Sequence, residues 1–496
     1  MLGWAIVALV FALPLRGLLR TQGPPMEEGF MLTFPERVLH GDIPNRDFLH
    51  LYGPGSLWAL AGVFKVFGVS LWSERLFGLV QQLAIVAGVY LIARRWGRVI
   101  AVSAGTISAL VIIPFGLTAL AWVGAVGLAM CGLALALHAR EQPDASRARH
   151  RSLLAGVLLG LALLFRPDLI VAVTLATIVL VRGQPLERAQ ETKPEPTGGK
   201  AKARVDQSRA LLGGIAIGVS PYIIHLATAG PGHAFKGMVL DPIFRLRGGR
   251  SLPLPPPWGH LDGFLQRAGA LAQISWPIPA FKRSSQLCLW FFLLLAAAVF
   301  VAYAGIKAVR ADRDSPSARA LLVAGLFGLG IIPQAVQRVD SAHLQWVGCV
   351  PIAFVPVAVF DLVRRRTTRL TGRNLALACG ATTLAVIVFA LPAFSVRVYA
   401  DYALQTFDIH RTAFKIEHKG RVFYYGKPDR AHAAQMVIDA AAKLAHPGAR
   451  LFVGPANLRK TPYSDAYLYY MLPEFRPGTY YIEMDPGVAN ANDSGL

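Results

Sequence analysis

The 496-residue chain is poor in charge: Asp, Glu, Lys and Arg make up only 16% of it, against 54% apolar residues. A soluble enzyme of this length carries about a quarter charged residues, so a soluble globular fold is excluded and a polytopic membrane protein is expected. Acidic residues are the scarcer sign, 29 against 50 Lys and Arg, leaving a formal net charge of +21. That surplus does not mark a nucleic-acid-binding face, because the basic residues fall mostly in short breaks between apolar runs. Cysteine is rare as well. Cys131, Cys288, Cys349 and Cys379 lie in or beside apolar runs, with no CxxC spacing and no His at a metal-binding interval. They read as small buried hydrophobes rather than disulfides or a zinc site. P-loop, GxGxxG and GxSxG patterns are missing, which removes the common nucleotide fingerprints and the serine-hydrolase elbow.

What the sequence does hold is a series of apolar runs. A span needs about 20 such residues, and there are eleven candidates: 2–19, 72–93, 99–115, 119–137, 152–164, 168–182, 210–228, 286–306, 320–333, 344–361 and 375–393. The first lacks a charged leader and a small-residue cleavage box, so it reads as a transmembrane helix rather than a signal peptide. Breaks 94–98, 138–151, 182–209, 307–319 and 362–374 carry 23 Lys or Arg in 73 residues. The remaining loops, 20–54, 116–118, 165–167, 229–285 and 334–343, have half that density or less. The positive-inside bias then puts the N-terminus and the basic breaks in the cytoplasm. Loops 20–71, 229–285 and 334–343, with everything after 394, fall outside, in a multi-pass protein of the plasma (cytoplasmic) membrane.

Runs 152–164 and 168–182 are short and meet at Arg166-Pro167-Asp168, either as two thin helices or as one re-entrant pair. Segment 56–69 carries Lys65, is too short to span, and is expected as a helix at the outer interface. Stretch 183–208 reads as a disordered polar linker. After 394 the pattern turns soluble: 430–446 has helical periodicity, 450–454 is strand-like, 464–472 is helical again and 479–484 alternates like a strand. The expected fold is an all-α polytopic membrane protein of about 11 transmembrane helices over 1–394, with a small C-terminal α/β extracytoplasmic domain over 395–496. That domain ends without a closing signal and is expected to continue.

The first outer loop is the richest in chemistry. Glu27 and Glu28 stand just beyond the first span, followed by Asp42-Ile43-Pro44-Asn45-Arg46-Asp47-Phe48 and Leu51-Tyr52-Gly53-Pro54. A carboxylate at headgroup level can take a proton from an attacking hydroxyl. The same pair also suits the start of a helix, where acidic residues meet the dipole favourably. In loop 334–343, Gln334, Gln337, Arg338, Asp340 and His343 form a second constellation. Its arginine could hold a phosphate through paired hydrogen bonds while Asp340 and His343 orient it, or the group could be an internal salt bridge closing the loop. Arg166 and Asp168 lie on the same expected face and could bind substrate or pair with each other. Loop 229–285 offers Arg245, Arg247 and Arg250 for a lipid phosphate and Trp258 for an acceptor groove, and equally fits a solvated basic loop near anionic lipid.

The run EEGFMLTFPERVLHGDIPNRDFLHLYGPG, followed by the interfacial helix and FGVSLWSERLFGLV, resembles the opening of the GT-C superfamily of polytopic glycosyltransferases. That group includes dolichyl-phosphate-mannose:protein mannosyltransferases and bacterial lipid-linked arabinosyl- and aminoarabinosyltransferases. The likeness covers residues 1–95 well and the rest as topology only. It implies an acidic catalytic motif in the first outer loop, hence Glu27 or Glu28 as base with Asp47 the next carboxylate. Arg46, Tyr52, Arg166, Asp168, Arg338, Asp340 and His343 are the expected substrate-binding residues. The implied reaction is inverting transfer of a sugar from a polyprenyl-phosphate donor to a cell-envelope glycan, lipid or protein. No cofactor is demanded, although Glu27, Glu28 or Asp47 could hold a divalent cation such as Mg or Mn. The rivals are a lipid or glycolipid transporter, for which the halves show no convincing repeat, and a non-catalytic scaffold of the same topology.

Overall fold

The computed structural model of the chain describes residues 2–182, 198–246, 252–262, 266, 279–366, 372–454, 464–484 and 488. From the N-terminus, α1 (Leu2–Ala12) and α2 (Leu15–Arg20) make one apolar span broken at Pro14. Helices α3 (Glu27–Leu39) and α4 (Gly55–Phe67) follow, then the long apolar α5 (Leu71–Ala93), α6 (Arg98–Ile112), α7 (Ala121–Ala139) and α8 (Ala145–Phe165). A 3-10 turn at Pro167–Leu169 leads into α9 (Ile170–Arg182). Next come α10 (Gly198–Val219), α11 (Tyr222–Ala229), α12 (Pro231–Phe235) and a π-helical segment, Lys236–Arg245. The bundle is completed by α13 (Arg283–Ala311), α14 (Pro316–Gly330), α15 (Ile332–Gln337), α16 (Ser341–Gly348), α17 (Pro351–Arg364) and α18 (Gly372–Ala390).

Among the described residues nine helices are long and apolar enough to cross a membrane, and α16 with α17, bent by 42°, makes ten if counted as one span. The eleventh candidate is α9, whose 13 helical residues fall short of the length by which those spans are counted. Its neighbour α8 is longer than its apolar run, because Asp144 starts the helix early by accepting a hydrogen bond from the Arg147 N–H. The 13-residue α4 is the expected short helix, with Val66 and Phe67 exposed at its end. Residues 183–197 of the expected linker lie outside the described residues, but 198–208 are helical. Between Lys200 and Leu212 that stretch holds three helix-favouring alanines, Ala201, Ala203 and Ala210, and neither Gly nor Pro.

Helices α8 and α10 meet almost backbone to backbone. A Cβ added at Gly156 would stand 2.1 Å from the Leu211 carbonyl oxygen, and one at Gly214 would stand 2.1 Å from that of Leu153. Gly160 and Gly218 are as tightly enclosed, so two small-xxx-small pairs fit into each other.

The basic breaks gather at one end of the bundle, where Arg95 pairs with Glu141 at 2.7 Å and Asp361 accepts from Trp96 Nε1 at 2.9 Å and from Arg365 at 2.7 Å. At the opposite end lie the first loop, the Arg166 turn, loop 334–343 and the C-terminal region. There α19 (Val396–Thr406) is fastened to α2, whose Gly17 N–H donates to Thr406 Oγ1 at 3.0 Å. Strands β1 (Phe414–His418) and β2 (Arg421–Tyr425) form an antiparallel hairpin, with Phe414 opposite Tyr425. Its turn, Lys419-Gly420, has φ of 48° and 78°, the primed geometry that matches strand twist.

Beyond the hairpin are α20 (Pro428–Lys443), β3 (Arg450–Leu451), α21 (Tyr467–Met471) and β4 (Arg476–Pro477), which lies parallel to β3. The helices expected over 430–446 and 464–472 are therefore present in shorter form. The strand expected over 479–484 is not: Tyr480 gives its carbonyl to the Leu49 N–H at 2.9 Å, bonding this segment to the first loop instead of to a sheet. Three further links hold the C-terminal region against that loop. Arg421 pairs with Glu36 at 2.6 and 2.9 Å, Gly426 N–H donates to Gln22 Oε1 at 2.7 Å, and Tyr467 N–H donates to the Pro25 carbonyl at 3.1 Å.

Candidate active site

The two glutamates at the start of α3 diverge, because successive helical residues point about 100° apart. Glu28 turns inward. Its carboxylate accepts from Arg75 Nε at 2.7 Å and Nη2 at 2.8 Å, in a pair whose side chains are 1% and 2% exposed. Arg75 Nη1 also donates to the Leu18 and Leu19 carbonyls at the end of α2, so the pair ties three helices together. Glu27 is half-buried and lines a cavity of about 1210 Å³ at this end of the bundle. The acidic pair is thus both a helix start and a cavity wall, divided between its two members.

The cavity is lined as well by Tyr52, Arg166, Asp168, Gln334, Gln337, Arg338, Asp340 and His343. Arg166, buried in the turn after α8, forks onto Asp168 at 2.9 and 2.6 Å and donates to Gln334 Oε1 at 3.1 Å. Its guanidinium lies 4.3 Å from the Tyr52 ring centroid and 5.1 Å from that of Trp122, so its plane is held by stacking as well as by charge. Asp340 starts α16: its Oδ1 accepts from the His343 N–H at 2.9 Å and lies 2.8 Å from the His343 ring nitrogen Nδ1, while Oδ2 accepts from Arg338 Nε at 2.7 Å. Burial works to raise the Asp340 pKa, but the charges and hydrogen bonds of His343 and Arg338 outweigh it and hold the carboxylate below its usual range. The constellation is therefore an internal ion-pair network and a cavity wall together.

Arg46 and Asp47 do not line the cavity. They pair with each other at 2.9 and 3.0 Å, and Asp47 also accepts from the Ile43 N–H at 2.7 Å, closing the loop on itself. The Arg46 hydrogen bond is the main cause that lowers the Asp47 pKa. Arg245 sits 3.9 Å from Asp241 in the π-helical segment, and Trp258 is half-exposed against Phe281; neither lines the cavity. Arg247 and Arg250 lie outside the described residues.

Four charged residues of this cavity were not anticipated: Asp401, Arg430, Asp465 and Glu483, all from the C-terminal region. Asp401 lies on α19, beside His410 at 2.5 Å, and burial is the main cause raising its pKa. Burial likewise raises Asp465. Glu483 is 2% exposed within the segment expected to be a strand. A carboxylate between Ile482 and Met484, both fully buried, was the available signal for it. Among the described residues no group of three His, Cys, Asp or Glu side chains is gathered to hold a metal ion.

The cavity, lined by three arginines, six carboxylates and many apolar side chains, sits at one end of a bundle of helices apolar enough to cross a membrane. The family model of dolichyl-phosphate-mannose-protein mannosyltransferases matches residues 52–196. Two crystal structures of ArnT from Cupriavidus metallidurans share the fold. The form bound to undecaprenyl phosphate aligns with a TM-score of 0.52 at 15% identity, over 96% of this chain and 85% of that one. The apo form aligns with a TM-score of 0.51 at 14% identity over the same shares. No curated protein matches the sequence. The chain thus resembles that mannosyltransferase family over residues 52–196 and shares the ArnT fold over nearly its whole length.

Proposed function

We propose that the chain transfers a sugar from a polyprenyl-phosphate donor to an extracytoplasmic acceptor of the cell envelope, with inversion and with Glu27 as the general base. The observation that carries this reading is that Glu27 lines the same cavity as Arg166, Gln334, Arg338 and His343. The undecaprenyl phosphate bound to Cupriavidus ArnT, a protein of the same fold, supports the donor class. The positive-inside bias supports a cavity end that faces away from the cytoplasm.

In the proposed step an acceptor hydroxyl gives its proton to the Glu27 carboxylate while its oxygen bonds to the anomeric carbon. The bond from that carbon to the phosphate oxygen breaks, and its electron pair leaves with polyprenyl phosphate. Arg338 and Arg166, each already fixed by an aspartate, meet the negative charge that grows on the leaving oxygen. A single displacement through one face inverts the anomeric centre. Asp47, locked to Arg46 away from the cavity, is left with a loop-closing role.

The test is release of polyprenyl phosphate from mannosyl, glucosyl and arabinosyl polyprenyl phosphates by the full chain in membranes. Glu27→Gln is expected to cut the rate about 10²–10⁴-fold, the range for a positioned general base, while still binding undecaprenyl phosphate. Transfer by Glu27→Gln at the parent rate would remove it from this role.

A further inference from the structure

The cavity has two walls of different origin and chemistry. The helical bundle supplies Arg166, Gln334, Arg338 and His343, a set rich in hydrogen-bond donors and suited to phosphate. The C-terminal region supplies Thr412, Tyr425, Arg430, Asp465 and Tyr467. We propose that this second wall is an acceptor subsite that binds a hydroxyl-bearing sugar, so that the acceptor is a glycan. The proposal rests on the glycosyltransferase reading above and names the substrate class of its second half.

A sugar ring presents hydroxyls that both donate and accept, together with one apolar face. A carboxylate accepts two hydroxyl protons, a guanidinium donates to ring and hydroxyl oxygens, and an aromatic ring covers C–H faces. Asp465 and Arg430 offer the first two, and the buried tyrosine pair adds cavity-lining phenol groups beside them. An acyl chain would use none of the charged groups.

The tyrosine pair is held in place before any ligand arrives. Tyr425 OH donates to Tyr467 OH at 2.9 Å, the rings meet edge to face at 5.8 Å, and Phe423 stacks on Tyr467 at 4.5 Å. Burial is the main cause raising the pKa of both hydroxyls, and the nearby charge of Asp465 acts on both in the same direction. Arg430 acts on Tyr425 in the opposite sense, so both charged groups stand close to that hydroxyl. Beside them α20 turns one face to the cavity, with Arg430, Ala433, Ala434 and Val437 at helical spacing. The two alanines leave room next to the tyrosines.

This wall is also fixed to the base. The Tyr467 N–H bonds to the carbonyl of Pro25, two residues before Glu27, and Gly426 bonds to Gln22. Gly29, one turn into α3, passes so near that a Cβ there would stand 2.1 Å from the Tyr467 nitrogen. A hydroxyl held by Asp465 and Arg430 is therefore presented to a carboxylate on a directly attached loop.

The experiment uses the full chain in lipid nanodiscs and saturation-transfer NMR with the methyl glycosides of mannose, glucose, galactose and N-acetylglucosamine. Undecaprenyl phosphate binding is measured on the same samples. The parent is expected to saturate at least one glycoside. Asp465→Asn and Arg430→Gln should each reduce that signal about tenfold or more, the scale of one lost charged hydrogen bond, with undecaprenyl phosphate bound as in the parent. The proposal is overturned if no glycoside is saturated by the parent, if both variants saturate it undiminished, or if both lose undecaprenyl phosphate. A parent that binds a glycoside but not undecaprenyl phosphate would sink the donor assignment while supporting the subsite.

Discussion

Glu27 and Glu28 are adjacent, alike in charge and both at the start of α3, yet their removal should have opposite signatures. In Glu28→Gln the Arg75 guanidinium keeps its two carbonyl partners but loses its counter-charge, in a site where both side chains are no more than 2% exposed. Removing one member of such a buried pair costs about 3–5 kcal/mol, because the remaining charge has no compensation. Against a typical total of about 5–15 kcal/mol, that is a large share of the stability of the fold. Glu27 is half-buried at a helix N-terminus, where losing a charge costs about 0.3–1 kcal/mol, but as the base its loss costs about 10²–10⁴ in rate. Thermal melting in detergent, followed by tryptophan fluorescence, and sugar transfer per folded molecule separate the two effects. Glu28→Gln should melt well below the parent, and the double variant Glu28→Gln with Arg75→Gln should recover part of the loss through a coupling of about 0.5–3 kcal/mol. The reasoning fails if Glu28→Gln melts like the parent and is inactive while Glu27→Gln transfers normally, since the base would then be the buried glutamate.

Arg338→Gln should weaken undecaprenyl phosphate binding about tenfold or more by titration in nanodiscs, and Arg338→Lys should restore only part of it, since lysine has no separate Nε to hold Asp340 while other donors meet the phosphate. Gly29→Ala should lower the melting temperature and loosen the C-terminal region, read as faster proteolysis after Thr406, because its Cβ would collide with the Tyr467 backbone. Buried His50 is held neutral, with its pKa pushed down to about 3, first by burial. Its contribution is complete above about pH 6.5 and is lost as pH falls from there toward 3, since the unfolded chain takes up the proton first; His50→Gln should melt with a shallower acid dependence over that window. In intact cells an impermeant thiol reagent should label Lys443→Cys and not Ser146→Cys, and the reverse pattern would invert the membrane orientation.

The bundle was legible in the sequence because lipid demands long apolar runs, and a sequence cannot disguise them. The shortness of α9 was legible too, since its run meets that of α8 at Arg166-Pro167-Asp168, where a 3-10 turn takes up its start. Arg338, Asp340 and His343 were legible for the converse reason: charged groups are costly beside apolar helices, so their presence marks a cavity or a mutual pairing, and here both hold. Which glutamate faces the cavity was hidden, because it is decided by Arg75, 47 residues away along the chain. Arg46 beside Asp47 is a local pairing, yet the sequence left open whether it would face substrate or solvent. The C-terminal contribution was the least legible. Asp465 and Glu483 reach the cavity through links to Pro25, Gln22, Glu36 and Leu49 in the first loop, which no periodicity in either segment encodes.

The glycine seam between α8 and α10 bears on how the chain could be made. Everything up to Arg182 and everything from Gly198 onward is joined covalently through 183–197, yet Gly156 and Gly160 on one side already interlock with Gly214 and Gly218 on the other. A second seam lies where Gly330 of α14 sits against Ala172 of α9, close enough that a Cβ at Gly330 would stand 2.3 Å from the Ala172 Cα. Two separately translated fragments, 1–182 and 198–496, therefore carry complementary faces and should reassemble in the bilayer. The enzyme could then be built as a split pair whose activity reports the meeting of its halves.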